Sequence, residues 1–296
     1  MIPDEALPRA IGQAISAATG RTFIVRSGRP AGGGCINESR ILAGDDGRRF
    51  FVKTNTPHQA DMFAAEAEGL AELARAAAIR VPAPICHGTA AGQAFLVLEW
   101  LPLGGSGDPA ELGRRLAALH RVTQPRFGWH RGNTIGSTPQ NNLPSSDWLA
   151  FYRDQRLGFQ LDLARQNGAP AHLLEQGERL LDNLGDFFPG YRPCPSLLHG
   201  DLWGGNQGFV NGDPVLYDPA VYYGDREADL AMTELFGGFS GRFYGAYRET
   251  WPLDPGYAVR RDLYNLYHVL NHFNLFGGGY AGQAQAMLDG LLAARG

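Results

Sequence analysis

The spacing of apolar and polar residues divides the chain into two parts of different character. Before about residue 100, short apolar runs alternate with glycine-containing turns, which is typical of β-strands. The predicted strands cover residues 23–25, 39–42, 49–53, 85–87 and 95–99. One helical segment, residues 61–77, lies among them, and from Asp108 onward apolar residues recur mostly at helical spacing. The pattern predicts an α+β fold in which a small β-rich part precedes a larger, mainly helical part.

The strand at 95–99 runs into a segment that suggests a boundary between the two parts. After Glu99 the chain reads Trp100-Leu101-Pro102-Leu103-Gly104-Gly105. An apolar strand that leaves a sheet into a segment rich in proline and glycine is a typical boundary between compact units. We therefore expect two lobes, residues 1–101 and 102–296, although the same composition also suits a plain linker.

The most informative motif is the run Leu197-Leu198-His199-Gly200-Asp201-Leu202-Trp203-Gly204-Gly205-Asn206. It places the carboxylate of Asp201 five positions before the carboxamide of Asn206, directly after a His-Gly turn. This H-x-D-x-x-x-x-N pattern is typical of phosphoryl-transfer sites, where the carboxylate accepts a proton from the attacking hydroxyl and the amide helps to hold Mg²⁺. Asp201 is therefore the candidate base, and Asn206 is a candidate metal ligand.

Asp218 is a second acid whose position fits this site. The apolar runs 207–210 and 214–217 flank Asn211-Gly212, a strong signal for a β-hairpin. Asn206 and Asp218 lie at similar distances on either side of that turn, so strand pairing is expected to bring them together beside Asp201. In the alternative interpretation, Asp218 begins a turn with Pro219 and Asn206 caps the loop.

Lys53 ends the third predicted strand, and the helix that follows offers it a partner. At about 100° per residue, Glu66 lies within the apolar stripe of the segment 61–77, about 40° from Leu70, whereas Glu68 falls on the opposite, solvated side. A carboxylate on a buried face is costly unless it is paired. We therefore expect an ion pair between Lys53 and Glu66, the arrangement that aims a kinase lysine at nucleotide phosphates.

A glycine loop lies between the first two predicted strands. Gly32, Gly33 and Gly34 would let backbone N–H groups approach phosphates closely, although the loop lacks the Walker pattern and could equally be a flexible hairpin tip.

Two polar residues of the second part are expected to have structural roles. Asp229 is expected to bond the backbone of the catalytic loop, and His120, on an apolar helix face, is expected to be a hydrogen-bonded packing histidine.

Composition limits the classes of protein that fit. The 296 residues carry a net charge of −4, so no basic surface argues for nucleic acid. No apolar run approaches membrane-spanning length, and the first residues lack the features of a signal peptide. The three cysteines match no zinc spacing, which together with their odd number favours a reduced, cytoplasmic protein.

Four blocks of sequence resemble the fructosamine kinase (ketosamine kinase) family, a branch of the aminoglycoside-phosphotransferase-like kinases. They are Gly32-Gly33-Gly34-Cys35-Ile36, Phe50-Phe51-Val52-Lys53, residues 197–206 and residues 218–232. The runs Trp203-Gly204-Gly205-Asn206 and Tyr222-Tyr223-Gly224, the latter followed by Glu227, are distinctive of this branch. The resemblance implies a bilobal protein-kinase-like fold. It also implies phosphorylation, with ATP and Mg²⁺, of a sugar hydroxyl on a ketosamine, either a small molecule or a glycated lysine or protein in deglycation repair.

The resemblance also implies roles for individual residues. Asp201 corresponds to the base, Asn206 and Asp218 to the Mg²⁺ ligands, and Lys53, held by Glu66, to the phosphate clamp. The remaining ATP-binding positions are the glycine loop and the backbone of Glu99, Trp100 and Leu101, which would meet adenine.

Three further positions are implied to influence substrate or regulation. Trp203 could pack its indole on the apolar face of the sugar, although it could also pack on the lobe core. Asp225 stands where many relatives have His, so it could alter substrate preference. Cys35 could form an intermolecular disulfide, so the protein would be a monomer or a redox-linked homodimer.

Two alternatives remain at the level of the sequence. The nearer is a kinase for another small alcohol, such as an aminoglycoside or a choline-like amine, with the same fold and metal site. The more distant is a non-catalytic regulator that only binds nucleotide.

Overall fold

The computed structural model describes residues 6–32 and 36–294. The helices are α1 (Ala6–Thr19), α2 (Ala60–Arg75), α3 (Pro109–His120), α4 (Trp148–Tyr152), α5 (Gly158–Gln166), α6 (Ala171–Asp182), α7 (Arg226–Leu235), α8 (Gly241–Thr250), α9 (Tyr257–Phe276) and α10 (Tyr280–Ala293). The strands are β1 (Val25–Pro30), β2 (Glu38–Gly44), β3 (Arg49–Asn55), β4 (Pro84–Ala90), β5 (Gln93–Glu99), β6 (Asn133–Ile135), β7 (Thr138–Gln140), β8 (Ser196–Leu198), β9 (Gln207–Val210), β10 (Asp213–Leu216) and β11 (Tyr222–Gly224). The predicted α+β class is confirmed.

The chain forms two compact units, and neither is continuous in sequence. The first contains the described residues up to Asp108 together with Gln207–Pro219, and the second contains Pro109–Asn206 and the described residues from Ala220 onward. The predicted lobes, 1–101 and 102–296, were continuous and did not anticipate that residues 207–219 belong with the first unit. That residues 1–101 bind the nucleotide and residues 102–296 carry the catalytic and substrate-binding groups stays a prediction.

A five-stranded antiparallel sheet forms the centre of the first unit. Its strand order is β1-β2-β3-β5-β4, and α1 and α2 pack against it. The buried side chains shared by α1 and the sheet include Ile11, Ile15, Phe23, Phe50 and Val97. Apolar residues at positions 7, 11 and 15 give α1 the one-sided spacing of an amphipathic helix. The sheet fixes the position of Lys53, which lies near the end of β3.

The hairpin of β9 and β10 completes the first unit. Gln207 pairs with Leu216 and Val210 with Asp213, which leaves Asn211 and Gly212 as a two-residue turn. Both turn residues have positive φ angles, 52° and 88°, as a type I′ hairpin turn requires. Leu101, Val210 and Val215 form a small buried cluster, so the hairpin packs on the chain that leaves β5. The predicted hairpin is confirmed.

The second unit is mainly helical. The helix pairs α3 and α8, α7 and α9, and α9 and α10 pack together, and β8 pairs antiparallel with β11. Trp148 on α4 lies at the centre of an aromatic cluster and donates from Nε1 to the hydroxyl of Tyr264 at 3.0 Å. Asp147 caps this helix, and its side chain accepts from the N–H groups of Leu149 and Ala150.

Across residues 6–32 and 36–294, none of the helices combines the length and the apolar character needed to span a bilayer.

Candidate active site

The backbone around Asp201 is set by a glycine that no other residue could replace without movement. Gly200 follows β8 with a φ of 85°, and a Cβ at this position would lie 2.0 Å from the carbonyl oxygen of Ala220. Both the positive φ and the lack of space require glycine. The chain therefore leaves β8 through a sharp turn, and Asp201 is the first residue after it.

Asp229, on α7, fixes this turn through the backbone. Its Oδ2 accepts the N–H of His199 at 2.7 Å, and its Oδ1 accepts the N–H of Gly200 at 2.8 Å. Oδ2 also lies 3.1 Å from Nε2 of His120, whose Nδ1 lies 2.8 Å from the hydroxyl of Tyr247. The predicted structural roles of Asp229 and His120 are both confirmed.

The environment of Asp229 favours its ionised form although the side chain is buried. Burial alone would raise the pKa of this carboxyl, but the hydrogen bond and charge of His120, the charge of His199 and the N–H of Gly200 hold the pKa below its usual range. The turn of residues 199–201, the candidate catalytic turn, is thus held by a fixed negative charge inside the second unit.

Asn206 lies beside Asp201 within the second unit. Its Nδ2 donates to the carbonyl oxygen of Asp201 at 2.8 Å and approaches Oδ2 of the same residue at 3.3 Å. Because these contacts use the amide nitrogen, the amide oxygen is the atom that Asn206 would offer to a cation. Asp201 and Asn206 therefore form one polar group at the start of the β9 hairpin.

Lys53 lies between two carboxylates in the first unit. Its Nζ lies 2.6 Å from Oε1 of Glu66, so the predicted pair is confirmed, and 2.7 Å from Oδ1 of Asp218. The second contact was not predicted. Burial alone would lower the pKa of Lys53, but attraction to Asp218 and Glu66 outweighs it and raises this pKa above its usual value. Burial and repulsion from Asp218 raise the pKa of Glu66 despite the opposing charge of Lys53.

The donor set suits Mg²⁺, which prefers carboxylate and amide oxygens and commonly takes only one or two carboxylates beside substrate phosphates. The triad of Lys53, Glu66 and Asp218 carries one excess negative charge, and the side chain of Asp218 is 37% exposed. Within the described ranges there is no group of three His, Cys, Asp or Glu residues suited to a metal. Asp218 belongs to the first unit, and Asp201 and Asn206 belong to the second. Their convergence on one ion stays a prediction.

The remaining nucleotide-binding candidates lie mostly at ends of strands. Glu99 ends β5, where its side chain pairs with Arg80 at 2.8 Å. The ring of Trp100 contacts the guanidinium of Arg49, and Leu101 is buried with its carbonyl accepting from Leu103. Gly32 is exposed, with space around it for a side chain, whereas Gly33, Gly34 and Cys35 lie outside the described residues.

The two candidate substrate residues differ sharply in exposure. Trp203 is 41% exposed, and a Cβ at Gly205 would lie 2.2 Å from its ring, so the indole rests over the glycine. Asp225 is 1% exposed and caps α7 by accepting from the N–H of Glu227. Its two oxygens also accept from the hydroxyls of Tyr191 and Tyr264, at 2.9 and 2.5 Å. This position favours a structural role for Asp225 over the predicted contact with substrate.

Sequence reasoning missed one contact and the role of one glycine that shape the site. The Lys53–Asp218 pair joins residues 165 positions apart, which no local pattern connects. Gly205 leaves room for the ring of Trp203 over the backbone, a close approach that glycine permits and that no local pattern in the sequence specifies.

Comparison with known structures identifies the class of fold to which the chain belongs. A candidate fructosamine-3-kinase from Haemophilus somnus, known from its crystal structure, superposes with a TM-score of 0.88 over 95% of this chain and 96% of its own, at 29% identity. The fold is thus that of the kinase-like phosphotransferases, with a small sheet-containing part and a helical part, as the resemblance implied.

The family follows from the sequence itself. The fructosamine kinase family model matches residues 7–294, and the chain belongs to this family. It is 49% identical to a probable ketoamine kinase of Synechocystis over 95% of each chain. It is also 46% identical to a chloroplastic protein-ribulosamine 3-kinase of Arabidopsis thaliana, covering 88% of this chain and 81% of that one.

Proposed function

We propose that this protein is an ATP-dependent kinase that phosphorylates a sugar hydroxyl of ketosamines, such as fructosamine or ribulosamine adducts. Its relatives named ketoamine kinase and protein-ribulosamine 3-kinase support this acceptor class. The observation that carries the chemistry is the Asp201–Asn206 group, held on a turn whose backbone is fixed by Asp229. A base must be placed rigidly within reach of the hydroxyl proton, and this turn supplies that rigidity.

The proposed roles divide between acid–base chemistry and charge. Asp201 accepts the proton of the sugar hydroxyl as that oxygen attacks. Asn206 and Asp218 would hold Mg²⁺, and Lys53, oriented by Glu66, would bind nucleotide phosphate oxygens. When bound, Mg²⁺–ATP supplies the phosphoryl group and neutralises charge on it. The backbone of residues 99–101 and the glycine loop would contact the nucleotide, and the exposed indole of Trp203 would pack on the sugar.

Lys53 and Asp218 have a further role in this proposal, because each is the other's partner in the structure. A phosphate at Lys53 and Mg²⁺ at Asp218 would compete with the present contact between these two side chains, because phosphate attracts the ammonium and the metal attracts the carboxylate. We infer that nucleotide binding separates Lys53 from Asp218 and leaves the Lys53–Glu66 pair intact. The partial exposure of Asp218, compared with the deep burial of Lys53, supports an exchange at Asp218.

An assay of ADP formation with three acceptors tests the proposed function. Wild-type protein with Mg²⁺–ATP should release ADP with fructoselysine or ribuloselysine and transfer phosphate to the sugar, and should show little turnover with an aminoglycoside. Turnover with the aminoglycoside alone would show that the acceptor is an aminoglycoside and not a ketosamine. Nucleotide binding without turnover on any acceptor would favour the non-catalytic regulator.

The proposal extends to the biological setting as protein deglycation repair in the cytoplasm, by a monomer or a homodimer linked through Cys35. Mass measurement with and without reductant tests the last point. A dimer that reductant converts to monomer in wild-type protein, and that is missing in Cys35→Ser, would support the disulfide. A dimer insensitive to thiols would contradict it.

A further inference from the structure

Two buried polar side chains of α9 each have an atom without a hydrogen-bond partner. Asn265 is 4% exposed and His268 is 5% exposed, and neither Oδ1 of Asn265 nor Nδ1 of His268 has a partner within the described part of the chain. Buried polar atoms are almost always paired, because an unpaired one loses its hydration without replacement. Two such atoms on one helix therefore need an explanation.

Their spacing places them on the same face of α9. Residues three apart on a helix are neighbours, so the amide of Asn265 and the imidazole of His268 lie one turn apart. Other polar residues of the helix are satisfied: Tyr264 donates to Asp225, Tyr267 donates to Gln140 at 2.7 Å, and Asn274 donates to Gln160. Among the buried side-chain atoms described for α9, the missing hydrogen bonds are thus confined to Asn265 and His268.

This pair lies near the catalytic turn, within the second unit. The charge of Asp229, which holds His199 and Gly200, acts on His268, and the charge of Asp201 acts on Tyr267, one of the two residues between the pair. Burial, with smaller effects from His272 and Arg156, lowers the pKa of His268 to about 3. The imidazole is therefore neutral near pH 7, and its Nδ1 can accept or donate a hydrogen bond depending on the tautomer.

Together the two residues offer one amide oxygen, which accepts a hydrogen bond, and one imidazole nitrogen, which can donate or accept one. A hydroxyl group both donates and accepts, so it can satisfy both atoms at once. A carboxylate would be repelled by the amide oxygen, and a cation would gain no charged partner from this neutral pair. The chemistry of the pair thus matches a polyol.

We propose that Asn265 and His268 form a hydroxyl-binding pair that holds a sugar hydroxyl of the acceptor other than the one phosphorylated. This inference rests on the proposed function and adds a determinant of specificity to it. A site built to hydrogen-bond a hydroxyl rejects an acceptor that lacks it, because the buried groups are then left unpaired. The main competing occupant of the pair is a structural water molecule.

Two substitutions that remove hydrogen bonding while keeping apolar bulk test the proposal: Asn265→Leu and His268→Phe. Removing a buried polar atom that has no hydrogen-bond partner should leave stability unchanged or raise it. We expect each variant to raise KM for fructoselysine about tenfold, the effect of one lost hydrogen bond, while KM for ATP and Tm do not fall. Asn274→Leu is the matched control, since its amide is bonded within the protein, and it should lower Tm without changing KM.

Fructoselysine analogues that each lack one hydroxyl distinguish recognition from indirect effects. If the pair binds a sugar hydroxyl, wild type and Asn265→Leu should become equal on the one analogue that lacks it and stay different on the others. An equal loss on every analogue, or an unchanged KM in both variants, would overturn the proposal in favour of a structural water. Absence of turnover by wild type on any ketosamine would instead show that the proposed function has failed.

Discussion

The molecule uses buried carboxylates in two contrasting ways. In the first unit, Glu66 and Asp218 share the single cation of Lys53, so the group has an excess negative charge and one partly exposed member. In the second unit, Asp229 is fully enclosed, and its two oxygens are bonded to two backbone N–H groups and to His120. In the first unit two carboxylates compete for one cation, whereas in the second unit both oxygens of Asp229 have hydrogen-bond partners.

The difference indicates which charges are available to a ligand. An unbalanced ion group can gain energy by exchanging a partner for a metal ion or a phosphate, since its present arrangement leaves repulsion between like charges. A satisfied buried carboxylate has nothing to gain from exchange and loses a great deal if a partner is removed. We therefore propose that Asp218 binds the ligand, whereas Asp229 holds the backbone of His199 and Gly200.

The largest effect is expected for Asp201→Asn. The variant keeps the size of the side chain but cannot accept the hydroxyl proton as a carboxylate does, so kcat should fall by about 10³-fold. Nucleotide affinity, measured by calorimetry with a non-hydrolysable analogue, should stay within about twofold of wild type. Turnover close to that of wild type would refute the role of Asp201 as the base.

Asp218→Asn should lower the affinity for Mg²⁺–nucleotide by about 10²-fold, because a charged metal ligand is lost. Its Tm should not fall, since one carboxylate fewer around Lys53 relieves the excess negative charge. Titration of nucleotide at several Mg²⁺ concentrations, with a thermal scan of the same sample, measures both. An unchanged Mg²⁺ dependence would remove Asp218 from the metal site.

Asp229→Asn should show the opposite pattern. The amide cannot accept all the bonds of the carboxylate, so the free energy of unfolding should fall by about 3 kcal/mol and kcat by about tenfold, while Mg²⁺ dependence is kept. The folded-state pKa of Asp229 lies below its usual value, so its stabilisation is complete above about pH 4 and is lost as pH falls through that lower pKa. The Tm difference from wild type should accordingly shrink in acid, and a constant difference would contradict this assignment.

The smallest effect is expected for Glu99→Gln. The Arg80–Glu99 pair is partly exposed and screened, so its loss should change the free energy of unfolding by less than about 1 kcal/mol. Nucleotide affinity should be unaffected if residue 99 meets adenine through its backbone. A tenfold loss of affinity, measured by the same calorimetry, would show that the side chain contacts the ligand.

Local patterns in the sequence predicted much of the fold and the pairing of Lys53. Helical arithmetic selected Glu66 over Glu68, and the turn signal Asn211-Gly212 gave the register of a hairpin, because both depend on residues close in the chain. The strand order β1-β2-β3-β5-β4 and the Lys53–Asp218 contact depend on distant segments, and no periodicity specifies them.

Two other features were not predicted correctly, for different reasons. The helix α1 was not predicted, although Leu7, Ile11 and Ile15 give it clear apolar spacing. Asp225 was linked to substrate preference because it stands where many relatives have His. Its burial depends on Tyr191 and Tyr264, which come from distant parts of the chain.

The most direct test of the contrast between the two groups of carboxylates is a crystal structure with Mg²⁺ and a non-hydrolysable ATP analogue. We predict that the metal contacts Asp218 and Asn206 and that Lys53 keeps Glu66 but separates from Asp218. The bonds from His199 and Gly200 to Asp229 should be unchanged. A bound nucleotide with the Lys53–Asp218 pair intact, or with Asp229 released from the turn, would contradict the account.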